Sequence, residues 1–103
     1  MTTKLPHPVG TIAANAATPN DMYQLRPGLN RVDVTYPSGT TATVTPKSTK
    51  DPNNTDNLAG VFVDGTELEI TATNQFQIVG PGWLCFVVAS FSGTDPIDVF
   101  ISR

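Results

Sequence analysis

The chain has one cysteine and one histidine, and each scarcity closes off a class of chemistry. Cys85 has no second thiol, so no intramolecular disulfide can form. It lies within Trp83-Leu84-Cys85-Phe86-Val87-Val88-Ala89 and is expected to be a small buried hydrophobe. A nucleophilic thiol would need an imidazole beside it, and His7 sits in a proline-flanked N-terminal segment. No Ser/His/Asp set, no His/Cys metal spacing and no phosphate-cradling glycine loop can be assembled. The expectation is a protein that is not an enzyme, without catalytic residues, cofactors or a metal. No apolar run approaches the roughly 20 residues of a membrane helix, so no membrane partner is expected. Met1 to Val9 carries Lys4 and two prolines where a signal peptide has an apolar core of about 7–15 residues. A chain made in the cytoplasm, leaving it inside an assembled particle or by lysis, is the expected case.

Charge is scarce too. Charged residues make up 15% of the chain, against ~25% in ordinary soluble domains. The six basic residues, Lys4, Arg26, Arg31, Lys47, Lys50 and Arg103, are scattered and not interleaved with aromatics, and the net charge is −3. No phosphate-tracking stripe results, so nucleic acid is not an expected partner. Thr, Pro, Gly, Asn and Ala are abundant instead, which suits short strands and tight turns. It also suits a surface partly covered by other subunits, because interface cores are depleted of Lys, Glu and Asp.

What is present is the period of the β-strand. In Thr66 to Thr73, Leu68, Ile70 and Ala72 fall on one side and Glu67, Glu69 and Thr71 on the other, as on a half-buried strand. The run passes through Phe76, Ile78 and Val79 to Gly80-Pro81-Gly82, which is expected to turn. Trp83 to Ala89 is continuously apolar and predicts a central strand buried on both faces. Earlier in the chain, Gly10, Thr11 and Ile12 favour a short strand, and Met22 to Leu25 another, stopped by a type II turn at Arg26-Pro27-Gly28. Asn30 to Tyr36 and Thr40 to Thr45 alternate around Pro37-Ser38-Gly39, which predicts an antiparallel hairpin. Pro46 to Asn57 has no apolar residue and predicts the longest loop. Leu58 to Val63 returns to strand, and Asp64-Gly65 makes a hairpin turn. Ser92 to Pro96 turns again before a last strand, Ile97 to Ser102. The result is an all-β single domain, an antiparallel β-sandwich with jelly-roll or Greek-key connections and seven to nine short strands, over residues 9–103. Residues 1–8, MTTKLPHP, form an extended arm ahead of it.

Polar clusters offer little chemistry. Glu67 and Glu69 share the wet face of one strand. Asp51, Asn53, Thr55 and Asn57 place oxygens at alternate positions, as a cation loop would, but Asp56 stands where the helix-loop-helix calcium motif needs glycine. Asn53-Asn54-Thr55 matches a glycosylation sequon that has meaning only in a secreted chain. Trp83, beside the Gly-Pro-Gly turn, can anchor a core or an interface, or serve with Tyr23 or Tyr36 as a sugar platform.

The stretch VFVDGTELEITATNQFQIVGPGWLCFVVASFSGTDPIDVFISR, the arm MTTKLPHP and the loop PKSTKDPNNTDN together resemble small virion proteins of tailed bacteriophages. The likeness is greatest to capsid decoration (cement) proteins, and it is one of composition and architecture. It implies a β-sandwich or β-tulip-like homotrimer on the outer shell of the virion. There it would bridge neighbouring major capsid proteins and stabilise the shell against internal DNA pressure. A tail, fibre or head–tail connector component shares the same style, and a carbohydrate-binding module is a third possibility. Under the structural reading the expected partner contacts are Lys4, Leu5 and His7 in the arm, Lys47, Lys50 and Asn54 in the loop, and Trp83.

Overall fold

The computed structural model describes residues 9–16, 18, 21–53 and 56–102. Among these it has no helix and eight strands: β1 (Gly10–Ile12), β2 (Tyr23–Thr35), β3 (Thr41–Thr49), β4 (Ala59–Gly60), β5 (Phe62–Val63), β6 (Thr66–Glu67), β7 (Asn74–Ser92) and β8 (Ile97–Ser102). Six of them form one antiparallel sheet in the order β1-β8-β2-β7-β3-β4, and β5 pairs with β6 apart from it. The all-β antiparallel class is as expected, and the large sheet curls into a half-barrel.

The curl is forced by β7. A straight strand of 19 residues would run about 60 Å at roughly 3.3 Å per residue, yet the longest dimension of the molecule is 41 Å. Its first part pairs with β2, from Asn74 opposite Val34 to Leu84 opposite Tyr23. Its second part pairs with β3, from Trp83 opposite Thr49 to Ser92 opposite Thr41. The ends of β2 and β3 are joined by only residues 36–40, so the two ends of β7 must come near each other. Gly80-Pro81-Gly82, expected to turn, instead lies within β7, where Gly80 and Gly82 stay paired with β2.

Two of the expected turns are corrected by this arrangement. Arg26-Pro27-Gly28 does not end a strand; β2 runs through it as a bulge in which Pro27 and Gly28 both oppose Gly80. Pro37-Ser38-Gly39 does turn, with the Thr40 N–H donating to the Pro37 carbonyl at 3.3 Å, but it closes no hairpin. β2 and β3 do not pair; both pair with β7, which takes the central position because its run from Leu84 to Phe86 is buried whichever way the side chains point. The connection is an arch between limbs of the sheet. Tyr36 braces it, donating its hydroxyl to the Ile70 carbonyl at 2.6 Å and lying 3.1 Å from that of Ala42.

Other departures are shorter. The loop expected from Pro46 begins only after Thr49, since Ala42, Val44 and Pro46 continue one buried face of β3. Val44 exchanges hydrogen bonds with Ile70, and Pro46, two residues on, presents its missing N–H to that same side, so no bond to β7 is lost. The run from Thr66 to Thr73 is strand only at Thr66–Glu67 and at the Ile70 bridge. Ile70 is buried as expected, whereas Ala72 is exposed. β1, the Asp64-Gly65 turn, the turn before β8 and β8 itself form where the pattern places them. The core gathers Val32, Val34, Val44, Leu84, Ile97 and Val99, all fully buried. The arm, residues 1–8, lies outside the described residues.

One polar side chain sits in the interior of the bend. Asn30 is fully buried; its Oδ1 accepts from the Arg26 N–H at 3.2 Å. Its Nδ2 donates to the carbonyls of Arg26 at 2.9 Å and Gly28 at 3.2 Å, and stands 3.4 Å from that of Ile78. Arg26 and Gly28 flank the point where Pro27 and Gly28 both oppose Gly80 and the register shifts. Asn30→Ala is expected to lower the free energy of urea unfolding by about 1–2 kcal/mol, because the part-buried Arg26 N–H and the Arg26 and Gly28 carbonyls lose their partner together. The exposed change Gln77→Ala should cost within about 0.5 kcal/mol. Equal midpoints for the two variants would contradict a bracing role for Asn30.

Candidate functional site

The bend that Asn30 braces places apolar side chains in solvent. Leu29 and Val79 are direct cross-strand partners and so share a face, and they are 56% and 70% exposed. Val79 also lines a groove of about 570 Å³ together with Leu25, Pro81 and Trp83. The ends of the β3–β4 connection supply the groove's polar rim, Lys50, Asp51 and Asn57. Trp83 is half-buried there, opposite Thr49 on one side and Gln24 on the other. A second apolar surface lies on the β5–β6 hairpin, where Phe62 and Val63 are 63% and 50% exposed.

Of the expected contact residues, the fold brings Lys50 and Trp83 together in this groove. Lys47 is elsewhere occupied, in an ion pair with Glu67. Lys4, Leu5, His7 and Asn54 lie outside the described residues. Leu29, Val79, Phe62 and Val63 were not legible as surface residues one by one. A signal was nevertheless available for two pairs: adjacent apolar residues such as Ile78-Val79 and Phe62-Val63 cannot both face inward on a strand. Val79 is the outward member of its pair, and in Phe62-Val63 both are exposed.

Asp51 engages one carboxylate oxygen locally, accepting from the Asn53 N–H at 3.0 Å, and its carbonyl accepts from the Thr49 hydroxyl at 3.1 Å. Among the described residues no three His, Cys, Asp or Glu side chains gather as metal ligands would. Tyr23 packs on Phe86 with ring centroids 6.1 Å apart, and Tyr36 is tied into the arch, so neither lines the groove with Trp83. Burial raises the pKa of both tyrosines, with the charge of Asp21 adding to the effect on Tyr23.

Cys85 is fully buried, its Sγ 3.6 Å from the Lys47 carbonyl. Burial pushes the thiol from 9.0 up to about 11, a rise that the nearby Lys47 charge only partly opposes. Native protein at pH 8 is therefore expected to leave Cys85 unmodified by a thiol reagent, with stoichiometric reaction once urea unfolds it. The unfolded chain loses this proton near 9 and the folded chain near 11, so the contribution is complete below pH 9 and is lost as pH rises through about 11. Rapid labelling of the native protein would refute the burial.

Comparison with protein-family models, with curated proteins and with solved structures finds no match.

Proposed function

We propose that this chain is a non-enzymatic structural protein of a virion, a capsid decoration protein that binds the outer shell and bridges neighbouring capsid subunits. The observation that carries the reading is the apolar surface at the bend, where Val79, Pro81 and Trp83 line one groove, Leu29 is the cross-strand partner of Val79, and Lys50 and Asp51 stand on the rim. A small protein that places Leu and Val outward as cross-strand partners gains by having that surface covered by another protein. A Trp in the lining is the kind of anchor on which binding energy concentrates. The low charge of the chain and its resemblance to cement proteins point the same way. In this reading the two limbs of the curled sheet act as the leaves of a jelly-roll-like sandwich, the assembled form is a homotrimer, and the arm extends along a neighbouring subunit. Tail, fibre and connector roles would draw on the same surface, but no particular residue favours them. The sugar platform loses support, because Tyr23 and Tyr36 do not join Trp83.

The test is co-sedimentation with tailed-phage particles assembled without this chain. Val79→Asp, which puts a charge on a Val that is 70% exposed, should weaken association on the order of tenfold while leaving the far-ultraviolet circular dichroism unchanged. Removal of residues 1–8 should weaken it as well. Unchanged association in both variants would sink the reading.

A further inference from the structure

The central strand β7 carries one open rung. Val44 bonds Ile70 and Val88 bonds Ala16, so where these two residues oppose each other neither points its backbone into the β3–β7 ladder. Backbone direction alternates along a strand, so Leu84 and Phe86 also turn their N–H and C=O away from β3, as Val88 does. Leu84 has Tyr23 opposite it on that side, and Val88 exchanges two hydrogen bonds of 2.9 Å with Ala16. Phe86 lies between them and makes no backbone hydrogen bond there among the described residues. By register its partner would be Asp21, but β2 begins only at Tyr23. Phe86 is 5% exposed, so its N–H and C=O are interior groups of a kind that proteins rarely leave unmatched.

A cavity of about 180 Å³ adjoins this rung, far more than the roughly 10–15 Å³ that one water needs. Ile12, Ala16, Tyr23, Phe86 and Val88 give it apolar walls, and Asp21 is the one charged residue of its lining. Asp21 makes no ion pair among the described residues. The pairings of Leu84 with Tyr23 and of Val88 with Ala16 close the slot along the strand, so a second strand has no room beside Phe86, whereas a compact group does. The fold itself shows what such a pair of backbone groups accepts. At Arg26 the N–H donates to Asn30 Oδ1 at 3.2 Å and the C=O accepts from Asn30 Nδ2 at 2.9 Å, so one carboxamide serves both groups of one residue. Asn15 lines the cavity but spends its Oδ1 on the Phe91 N–H at 2.7 Å. An ammonium or guanidinium would suit Asp21 but has no acceptor for the Phe86 N–H. A carboxylate has no donor for the Phe86 carbonyl and meets the charge of Asp21.

We infer that this cavity binds a primary carboxamide on a short apolar stem. Its oxygen accepts from the Phe86 N–H, and its nitrogen donates to the Phe86 carbonyl and to the Asp21 carboxylate, while the stem lies against Ile12 and Tyr23. A free carboxamide and the side chain of an Asn or Gln on another protein present the same chemistry. The cavity shares no residue with the Trp83 groove, so the site stands independently of the decoration reading.

The experiment is a titration of the isotope-labelled whole chain with propionamide, read by nuclear magnetic resonance at the Phe86 backbone amide. A saturable shift of that resonance in the millimolar range is the expected result for so small a ligand. N,N-Dimethylpropionamide accepts a hydrogen bond but cannot donate one, and should bind on the order of tenfold more weakly. Asp21→Ala, a change at an exposed position, should cost propionamide on the order of tenfold, because a hydrogen bond to a charged acceptor is lost. The same variant should leave the affinity for the dimethyl amide as it was, which a general loosening of the fold would not do. A Phe86 resonance that propionamide does not move, or equal affinity for the two amides, overturns the inference. Co-sedimentation with particles assembled without this chain separates the two sources. Competition by propionamide assigns the amide to a side chain of the particle, and its absence assigns the site to a free carboxamide.

Discussion

The architecture depends on keeping a hydrogen-bonded ladder intact through a sharp bend. Two long strands, β2 and β7, lie side by side and must bend together, and the bend is built from Pro27 and Gly28 on one strand opposite Gly80 on the other. A methyl group on Gly80 would run into the Arg26 carbonyl, so the close approach of the two backbones requires glycine there. A bulge leaves amide groups without ladder partners, and in an interior each costs on the order of 1–3 kcal/mol when unsatisfied. Asn30 is the side chain that meets them, with an acceptor for one N–H and an amide for the surrounding carbonyls. Remove that one interaction and the part-buried backbone groups at the bend lose their partner.

The same solution appears, less buried, at the other end of β7. Between Thr41 and Thr43 the register on β7 advances from Ser92 to Ala89, one residue more than on β3, and Ser90 takes φ of 56°. The Phe91 N–H that this frees donates to Asn15 Oδ1 at 2.7 Å. Each irregularity in the central strand thus has its own asparagine. Asparagine suits the role because one short, stiff side chain carries both a donor and an acceptor. Curvature is concentrated at these points, and the strands between them remain regular and apolar.

How much of this was legible in the residues follows from the range of each interaction. The central strand, β1, β8 and the Asp64-Gly65 turn depend on local period and turn chemistry, and they could be read directly. The bulge at Pro27-Gly28 could not, because a Pro-Gly pair that ends a strand and one that kinks a continuing strand look alike until the partner is known. The partner, Gly80, lies about fifty residues away. The same holds for the arch at Pro37-Ser38-Gly39: two alternating runs around a short turn satisfy a hairpin locally, and only competition from β7 for both edges decides otherwise. Pro46 looked like the start of a loop because proline usually leaves a ladder, yet its missing N–H falls on the side where no bond to β7 is needed. At the groove, Trp83 was visible as a candidate from its place beside Gly80-Pro81-Gly82, whereas its neighbour Lys50 joins it through strand pairing between β3 and β7.

The bend that shapes the core also shapes the surface. A strand buried on both faces over Leu84 to Phe86 must give up that burial where it turns away from the second limb, and it does so at Val79 and Pro81. β2, locked in register by the bulge, then has its own Leu29 beside Val79 with no choice of face. These outward apolar residues are therefore a geometric consequence of the brace at Asn30. A slip of one residue in β2 would turn Leu29 inward but would carry Val32 and Val34 out of the core. Core register and the composition of the exposed surface are set by the same bulge, so a change that relaxes the bend alters that surface along with stability.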